Sequence, residues 1–479
     1  MPTHFKDTFY SFMPDVPTSD QVDLVERMER FLFQPIEKAG FIIRGYAGTG
    51  KTTSIAALVK TLPQFNYRSV LLAPTGRAAK VMSSFSKKPA FTIHKKIYQV
   101  KRAANGQMQF ALAPNYHTHT VFLVDEASMI SSKGGVRTAG FRYTSLLEDL
   151  ITYVFSGKNC RLVFIGDIAQ LPPVGSDISP ALNPAFLKNN FLMNLKGVEL
   201  KQVLRQAEGS GILYNATKLR EELEKKEPKI QFKTEGFDDV IPINGVELED
   251  EINSAFGTYG ENNVTIITRS NKRANEFNQQ IRIRIKGQEE AISSGDYLMV
   301  VKNNYFWLDD KSPIGFIANG DIAEVMRLET TEELYGFRFV DATLRLIDYP
   351  KHPAIEAKLL LNTIYSDAPA LTKEENQELY DNVMEDYFEI SSQREKLELL
   401  KKNPHFNALQ VKFANAVTCH KSQGGQWKVV FVDQGYLTEE MVDKEYLRWL
   451  YTAVSRATEK LYLVNFHPQF YADEIPSFF

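Results

Sequence analysis

Apolar residues along this chain fall into short, β-branched runs: Gly40 to Arg44, Ser69 to Ala73, Thr120 to Val124 and Arg161 to Ile165. Several of these runs end in Gly, Pro, Asp or Thr clusters, the signature of buried parallel strands whose carboxyl ends feed loops. With helical stretches between them, residues 1–200 predict a doubly wound α/β domain. A second set of runs, Val264 to Thr268, Val429 to Asp433 and Lys460 to Asn465, predicts another α/β unit split by a long insertion.

Inside that insertion the texture changes. Tyr297 to Val301, Ile322 to Met326 and Ala342 to Ile347 alternate like antiparallel strands, with a turn at Asn319-Gly320-Asp321. From Leu371 to Lys402 the chain turns acidic and then mixed, and Leu379, Val383 and Tyr387 recur at helical spacing. That stretch reads as a solvated helical hairpin or as a moving arm. A smaller insertion at about residues 95–118 places Ile97 to Val100 and Met108 to Ala111 on either side of Asn105-Gly106, a hairpin signal. The expected organisation is therefore a first domain over 1–200 and a second domain in two pieces, 201–290 and 406–479. A β-rich insertion with a helical arm fills 291–405.

The length of 479 residues fits several domains, and 43% hydrophobic with 12% aromatic residues supplies their cores. A net charge of −3 gives no global basic field, so any polyanion must meet a local groove. Two cysteines, Cys160 and Cys419, exclude a disulfide framework or a cysteine zinc site and fit a reducing, cytoplasmic compartment. The amino terminus lacks an export pattern, and no run approaches the roughly 18 apolar residues of a membrane span.

Gly45-Tyr-Ala47-Gly48-Thr49-Gly50-Lys51-Thr52-Thr53 follows one predicted strand and precedes a predicted helix. Glycines let the backbone wrap phosphates so that amides and the helix's positive end face them. Lys51 neutralises the outer phosphates, and the Thr52 hydroxyl is a ligand for Mg²⁺. Asp125 and Glu126 end a second apolar strand, where one carboxylate can hold the metal and its neighbour accept a proton from attacking water. Gln170 lies just past the strand ending Gly166-Asp167, placed to orient water or sense the γ-phosphate. Arg205 and Arg456 are candidates for guanidinium groups that reach in from a second domain.

In this order the motifs resemble those of the superfamily 1 helicases, in the branch of RecD-like and phage Dda-type enzymes. The resemblance spans Gln21 to Arg456. It implies two RecA-like motor domains, a duplex-splitting hairpin in the first and a small SH3-like β-barrel in the second. It implies that Gln21 reads adenine, that Lys51 and Thr52 bind phosphates and Mg²⁺, and that Asp125 and Glu126 are metal ligand and general base. Gln170 would be the γ-phosphate sensor, and Arg205 and Arg456 the arginine fingers. Single-strand contacts would come from Pro74, Thr75, Thr92 and His94 in the first domain, and from Thr268, Arg269, Thr418, His420, Lys421 and Ser422 in the second. Phe110, with Tyr98 as the other aromatic candidate, would stack on the terminal base pair.

The expected activity is ATP- and Mg²⁺-dependent 5′ to 3′ movement of a monomer on single-stranded DNA, with unwinding at duplex junctions. Single-strand-binding or recombination proteins are the expected partners. An RNA-directed ATPase, a motor subunit of a recombination nuclease and a P-loop switch or kinase remain the alternatives.

Overall fold

The computed structural model describes residues 4–102, 108–137, 141–143, 145–203, 209–309, 312, 314 and 316–472. Its first layer system is a six-stranded parallel sheet with strand order β10-β1-β9-β6-β2-β3. In chain order the strands of this region are β1 (Ala39–Gly45), β2 (Arg68–Ala73) and β3 (Ala90–Thr92), then the antiparallel pair β4 (Tyr98–Arg102) and β5 (Met108–Leu112). They continue with β6 (Thr120–Val124), the small pair β7 (Gly135–Arg137) and β8 (Phe141–Tyr143), β9 (Arg161–Gly166) and β10 (Asn194–Leu200).

Period-two geometry sends neighbouring residues to opposite faces, so each strand feeds two cores. Phe41, Ile43, Leu123 and Val163 pack with Leu24, Met28 and Ile55 of the helices Ser19–Phe33 and Lys51–Thr61. Ile42, Phe122, Val124 and Phe164 pack with Leu147, Leu150 and Ile151 of Leu146–Phe155 on the other face.

The second sheet is also fully parallel, in the order β11-β21-β20-β12-β19. It begins with β11 (Val240–Ile243) and β12 (Val264–Thr268), and the insertion leaves the chain here. The insertion strands are β13 (Tyr297–Val300), β14 (Ile322–Leu328), β15 (Glu332–Leu334), β16 (Phe337–Leu346), β17 (Ile355–Leu360) and β18 (Leu409–Phe413). They run in the order β14-β13-β18-β17-β16-β15, and an added β14 to β16 pairing closes them into a small barrel around Leu298, Val325, Leu344, Leu359 and Val411. The chain then returns to complete the second sheet with β19 (Ala416–Thr418), β20 (Trp427–Asp433) and β21 (Ala457–Val464).

Two features depart from the sequence expectation. The strand β18 lies past residue 405 yet belongs to the barrel, antiparallel to β13 and parallel to β17. Leu409, Val411 and Phe413 fill the barrel core, while the intervening Gln410 and Lys412 are buried with partners: Gln410 Oε1 accepts from Leu371 N–H (3.1 Å) and Lys412 Nζ donates to Thr363 O (3.0 Å). The helices Lys373–Glu385 and Gln393–Lys402 do not project as a free arm. Leu379, Val383 and Leu400 are buried against Phe337, Phe339 and Leu360 of the barrel.

Near the carboxyl end Phe470 and Tyr471 are buried, and Phe232 exchanges backbone hydrogen bonds with Phe470 and Ala472 (2.7 and 2.8 Å). Among the described residues no helix is long and apolar enough to cross a membrane, and the two cysteines are buried free thiols.

Candidate functional site

The turn after β1 is built by two residues with left-handed backbone, Gly48 (φ 74°) and Gly50 (φ 76°). Glycine takes that conformation without steric cost. Gly50 is also the N-cap of Lys51–Thr61 and offers no side chain, so the helix amides stay open toward the turn. Thr49 is buried, and its hydroxyl donates to Tyr46 O (2.8 Å), which braces the loop from inside. Ala47, Thr52 and Thr53 line the same turn half-buried. Lys51 Nζ folds back on Gly45 O (2.5 Å) and Tyr46 O (2.7 Å) and lies 4.0 Å from Asp167 Oδ2. The ammonium thus rests on carbonyls that an anion in the loop would displace.

Strand ends supply the acids. Asp125 accepts the Glu126 N–H (2.9 Å), and burial, reinforced by the Glu126 charge, pushes its carboxyl up to about 7. Glu126 takes a left-handed φ of 49°, an uncommon state for this residue, at the turn that follows β6. Gln170 is 6% exposed, and its Oε1 is buried without a hydrogen-bond partner among the described residues. An open carbonyl acceptor of this kind suits a water whose O–H would donate to it. Thr52 and Asp125, the residues expected to hold Mg²⁺, offer a hydroxyl and a carboxylate, oxygen donors of the kind that suits a hard divalent cation.

The second domain reaches this site through the helix Lys444–Val454. Tyr451, 1% exposed, accepts the Ala47 N–H of the phosphate turn (2.9 Å), and its hydroxyl donates to Asp167 Oδ2 (2.5 Å). Burial raises the Asp167 carboxyl, while the nearby Lys51 and this hydroxyl pull it back down. Thr452 Oγ1 accepts Leu171 N–H (2.9 Å), and Gln423 Nε2 donates to Leu171 O (2.7 Å). Of Tyr451, Thr452, Asp167 and Gln423 the sequence reading names only Asp167, and the roles of all four depend on pairing across the two domains. No local pattern carries that information.

Arg456 is 4% exposed and is held by its own domain: Nε donates to Thr452 O (3.0 Å), one terminal nitrogen to Ser455 Oγ (3.0 Å) and the other to Gly425 O (3.3 Å). Its charge still reaches Asp167 and lowers that carboxyl. Arg205 lies outside the described residues. Gln21 is 1% exposed, and its amide is engaged locally: Oε1 accepts Thr18 N–H (2.9 Å) in a capping box for Ser19–Phe33, and Nε2 donates to Ser54 Oγ (3.4 Å).

The strand-contact candidates fall at helix starts. Pro74 precedes Thr75, which caps Gly76–Ser86 by accepting Ala78 N–H (3.2 Å); Thr92 caps Ile93–Ile97 by accepting Lys95 N–H (3.2 Å). Thr75 is half-buried, and its hydroxyl hydrogen remains a donor for phosphate oxygen, whereas Thr92 is 7% exposed. The His94 ring lies 5.7 Å from Tyr98, whose hydroxyl donates to Asp149 (2.5 Å). The Phe110 side chain lies outside the described residues.

On the second domain Thr268 and Thr418 are paired at the ends of β12 and β19. Thr418 is half-buried, whereas the Thr268 hydroxyl turns inward to Ser270 O (3.0 Å). Ser422 is 0% exposed, with its hydroxyl on Cys419 O (2.8 Å), so it shapes the turn rather than its surface. His420 and Lys421 are half-buried. Burial lowers both, Lys421 to about 8 with help from the Lys412 charge, while Glu445 opposes the shift at His420. Arg269 lies 5.1 Å over the Tyr446 ring and donates to Tyr436 O (3.3 Å).

Comparison with known proteins matches two family models: an AAA domain over residues 34–233 and a UvrD-like helicase C-terminal domain over 413–464. The chain is similar to the ATP-dependent DNA helicase dda of Enterobacteria phage T4, at 31% identity over 152 residues, 31% of this chain and 30% of that one. It is similar to the ATP-dependent RecD2 DNA helicase of Deinococcus radiodurans, at 26% identity over 202 residues, 42% of this chain and 24% of that one. Among solved structures, the Pif1 helicase from Bacteroides in complex with ADP-AlF3 and ssDNA aligns at 14% identity and a TM-score of 0.48, covering 96% of this chain and 95% of that one. The matches span about a third or less of the length of three of the curated relatives.

Proposed function

The chain belongs to the superfamily 1 helicases, in the branch of RecD-like and Dda-type proteins, and from that premise we propose an ATP-dependent DNA helicase that moves 5′ to 3′ on single-stranded DNA and unwinds duplex. The observation that carries this reading is the cross-domain seam at the phosphate turn, where Tyr451 joins Ala47 to Asp167 and Thr452 holds Leu171. A nucleotide in the turn is then felt by both domains, as a motor requires and a simple switch does not.

In this mechanism Lys51 leaves Gly45 O and Tyr46 O for the phosphates of ATP, and the uncapped start of Lys51–Thr61 supplies amides to the same oxygens. Thr52 and Asp125 would hold Mg²⁺, which neutralises charge on the phosphate oxygens when bound. Glu126 accepts the proton of the attacking water while Gln170 Oε1 orients that water. Arg456 and Arg205 are the guanidinium groups assigned to stabilise charge on the transferred group. Thr75, Thr92, Thr418, His420 and Lys421 grip sugar and phosphate without reading bases, which suits movement on any sequence.

The test is unwinding of two partial duplexes, one with a 5′ tail and one with a 3′ tail, in the presence of ATP and Mg²⁺. Opening of the 5′-tailed duplex alone is expected. Opening of the 3′-tailed duplex alone reverses the polarity, and opening of neither, with turnover indifferent to oligonucleotide, rejects the motor. Stronger stimulation by oligo-U than by oligo-dT moves the substrate to RNA.

A further inference from the structure

The segment 423–427, between the short helix Cys419–Ser422 and β20, touches both the nucleotide side and the strand side of the molecule. At its start Gln423 is bonded to Leu171 O, one residue past Gln170. In its middle, Gly424 has φ +73°, and a Cβ there would lie 2.9 Å from Ala78 Cβ and 3.1 Å from Thr75 Oγ1. A Cβ on Gly425 would lie 2.6 Å from the Trp427 ring. Both positions require glycine because the backbone passes flush against the start of Gly76–Ser86 on one side and the indole on the other.

At its end the segment is gripped from the first domain. The Arg77 guanidinium carbon lies 3.8 Å from the Trp427 ring centroid, and an Arg77 terminal nitrogen donates to Gln426 O (3.1 Å). The indole is 4% exposed, so the cation sits on a largely desolvated face, where the attraction of the ring for a guanidinium is strongest. The same segment is tied to Arg456 in both directions: Trp427 N–H donates to Arg456 O (3.0 Å), and the Arg456 guanidinium donates to Gly425 O (3.3 Å). Arg77 therefore connects, through one ring and one short stretch of backbone, to Arg456, whose charge reaches Asp167 beside Lys51. Thr75, two residues before Arg77, is a strand-contact candidate.

We propose that the stack of Arg77 on Trp427 is a positioning clamp that couples occupation of the strand site at Thr75 to the placement of Arg456 for ATP turnover. This inference rests on the helicase reading and names how the two sites of that motor communicate. A strand bound at Thr75 fixes the start of Gly76–Ser86, and Arg77 with it. Trp427 follows Arg77, and Arg456 follows the backbone around Trp427. A cation over a ring tolerates small rotations but weakens as the surfaces part, so the clamp acts only while the domains are closed.

The test measures ATP turnover against oligo-dT concentration for the wild type, Trp427→Phe, Arg77→Gln and the double variant, with thermal melting as a control for folding. Trp427→Phe is expected to lower turnover at saturating oligo-dT about tenfold. Its turnover without DNA should be unchanged, and half-saturation should move by less than about twofold. Arg77→Gln is expected to lower the saturated rate to a similar degree, and the double variant no further than either single one, as two halves of one contact require. The clamp is refuted if both variants keep the wild-type saturated rate, or if Arg77→Gln only raises the oligo-dT concentration needed, which would make Arg77 a plain phosphate contact. Additive losses in the double variant refute it as well. A wild type indifferent to oligo-dT overturns the helicase reading itself, whereas a stimulated wild type with unaffected variants overturns the clamp alone.

Discussion

The two parallel sheets end in helices that begin in opposite ways. After β1 the chain makes a glycine turn, and the helix Lys51–Thr61 starts at Gly50 with no side chain on its amides. After β12 it enters Asn271–Gln280 directly, and Ser270 caps that helix by accepting Arg273 N–H (3.1 Å). The crevice at this second strand end, lined by Arg269, Lys272, Arg273 and Asp433, is also basic and open. Part of its charge is already spent: Arg273 pairs with the buried Asp433 at 2.9 Å. The comparison separates a fold from a site. Parallel strands followed by helices create a crevice with a positive helix end after β1 and after β12 alike, but of these two it is the glycine turn that leaves the helix start without a side-chain cap and the lysine resting on displaceable carbonyls. The second sheet contributes a helix to the first sheet's site rather than a site of its own.

The sharpest way to break this contrast is to remove one lysine from each crevice. Lys51→Ala should lower ATP turnover by about a thousandfold or more, since it removes the charge aimed at the transferred phosphate, while Lys272→Ala should leave turnover within about twofold. Steady-state hydrolysis checks both, and comparable losses from the two variants would make the second crevice a nucleotide site. Next in size, Glu126→Gln should retain binding of a fluorescent ATP analogue and lose about a hundredfold or more in turnover, the scale of general-base catalysis. Loss of binding instead would assign Glu126 to the architecture of the turn.

Tyr451→Phe sharpens the claim that the second sheet acts through its helix. The ring keeps its packing, but the Ala47 N–H loses its acceptor and the buried Asp167 keeps only the Ala169 N–H after losing the Tyr451 hydroxyl. Turnover should fall about tenfold, consistent with roughly 1.5 kcal/mol from a buried hydrogen bond to a charged group. Unchanged turnover, measured in the same hydrolysis assay, would reduce the seam to packing.

How much of this was legible in the sequence follows from how local each signal is. The phosphate turn and the two sheets were, because glycine spacing and short apolar runs depend on neighbours within a few positions. The strand β18 was not, because Gln410 and Lys412 make the run look like a polar linker until their buried partners on other segments are known. Gln21 is expected from the resemblance to read adenine, whereas the structure engages its amide in a capping box with Thr18, a local role not read from the sequence. Thr268 and Ser422 stand where strand contacts are expected, yet which way a small hydroxyl turns is decided by carbonyls one turn away. Tyr451 could not be found at all, since its partners lie in the other domain.

The smallest effects test the inert side of the comparison. Arg273→Ala leaves Asp433, 1% exposed, without its partner. Because the Arg273 side chain is itself 42% exposed and solvent screens the pair, the stability cost should be about 1–2 kcal/mol rather than the larger penalty of a fully buried ion pair. Ser270→Ala removes one cap and should cost about 1 kcal/mol. Both should lower the melting temperature by a few degrees and leave turnover at saturating ATP unchanged. The reason is geometric: Ser270 occupies the Arg273 amide at the start of a helix that lies away from the phosphate turn, so removing the cap destabilises the helix without touching chemistry. A gain of phosphate or nucleotide binding in Ser270→Ala, measured by calorimetry, would instead show that the serine alone keeps the second crevice closed to anions.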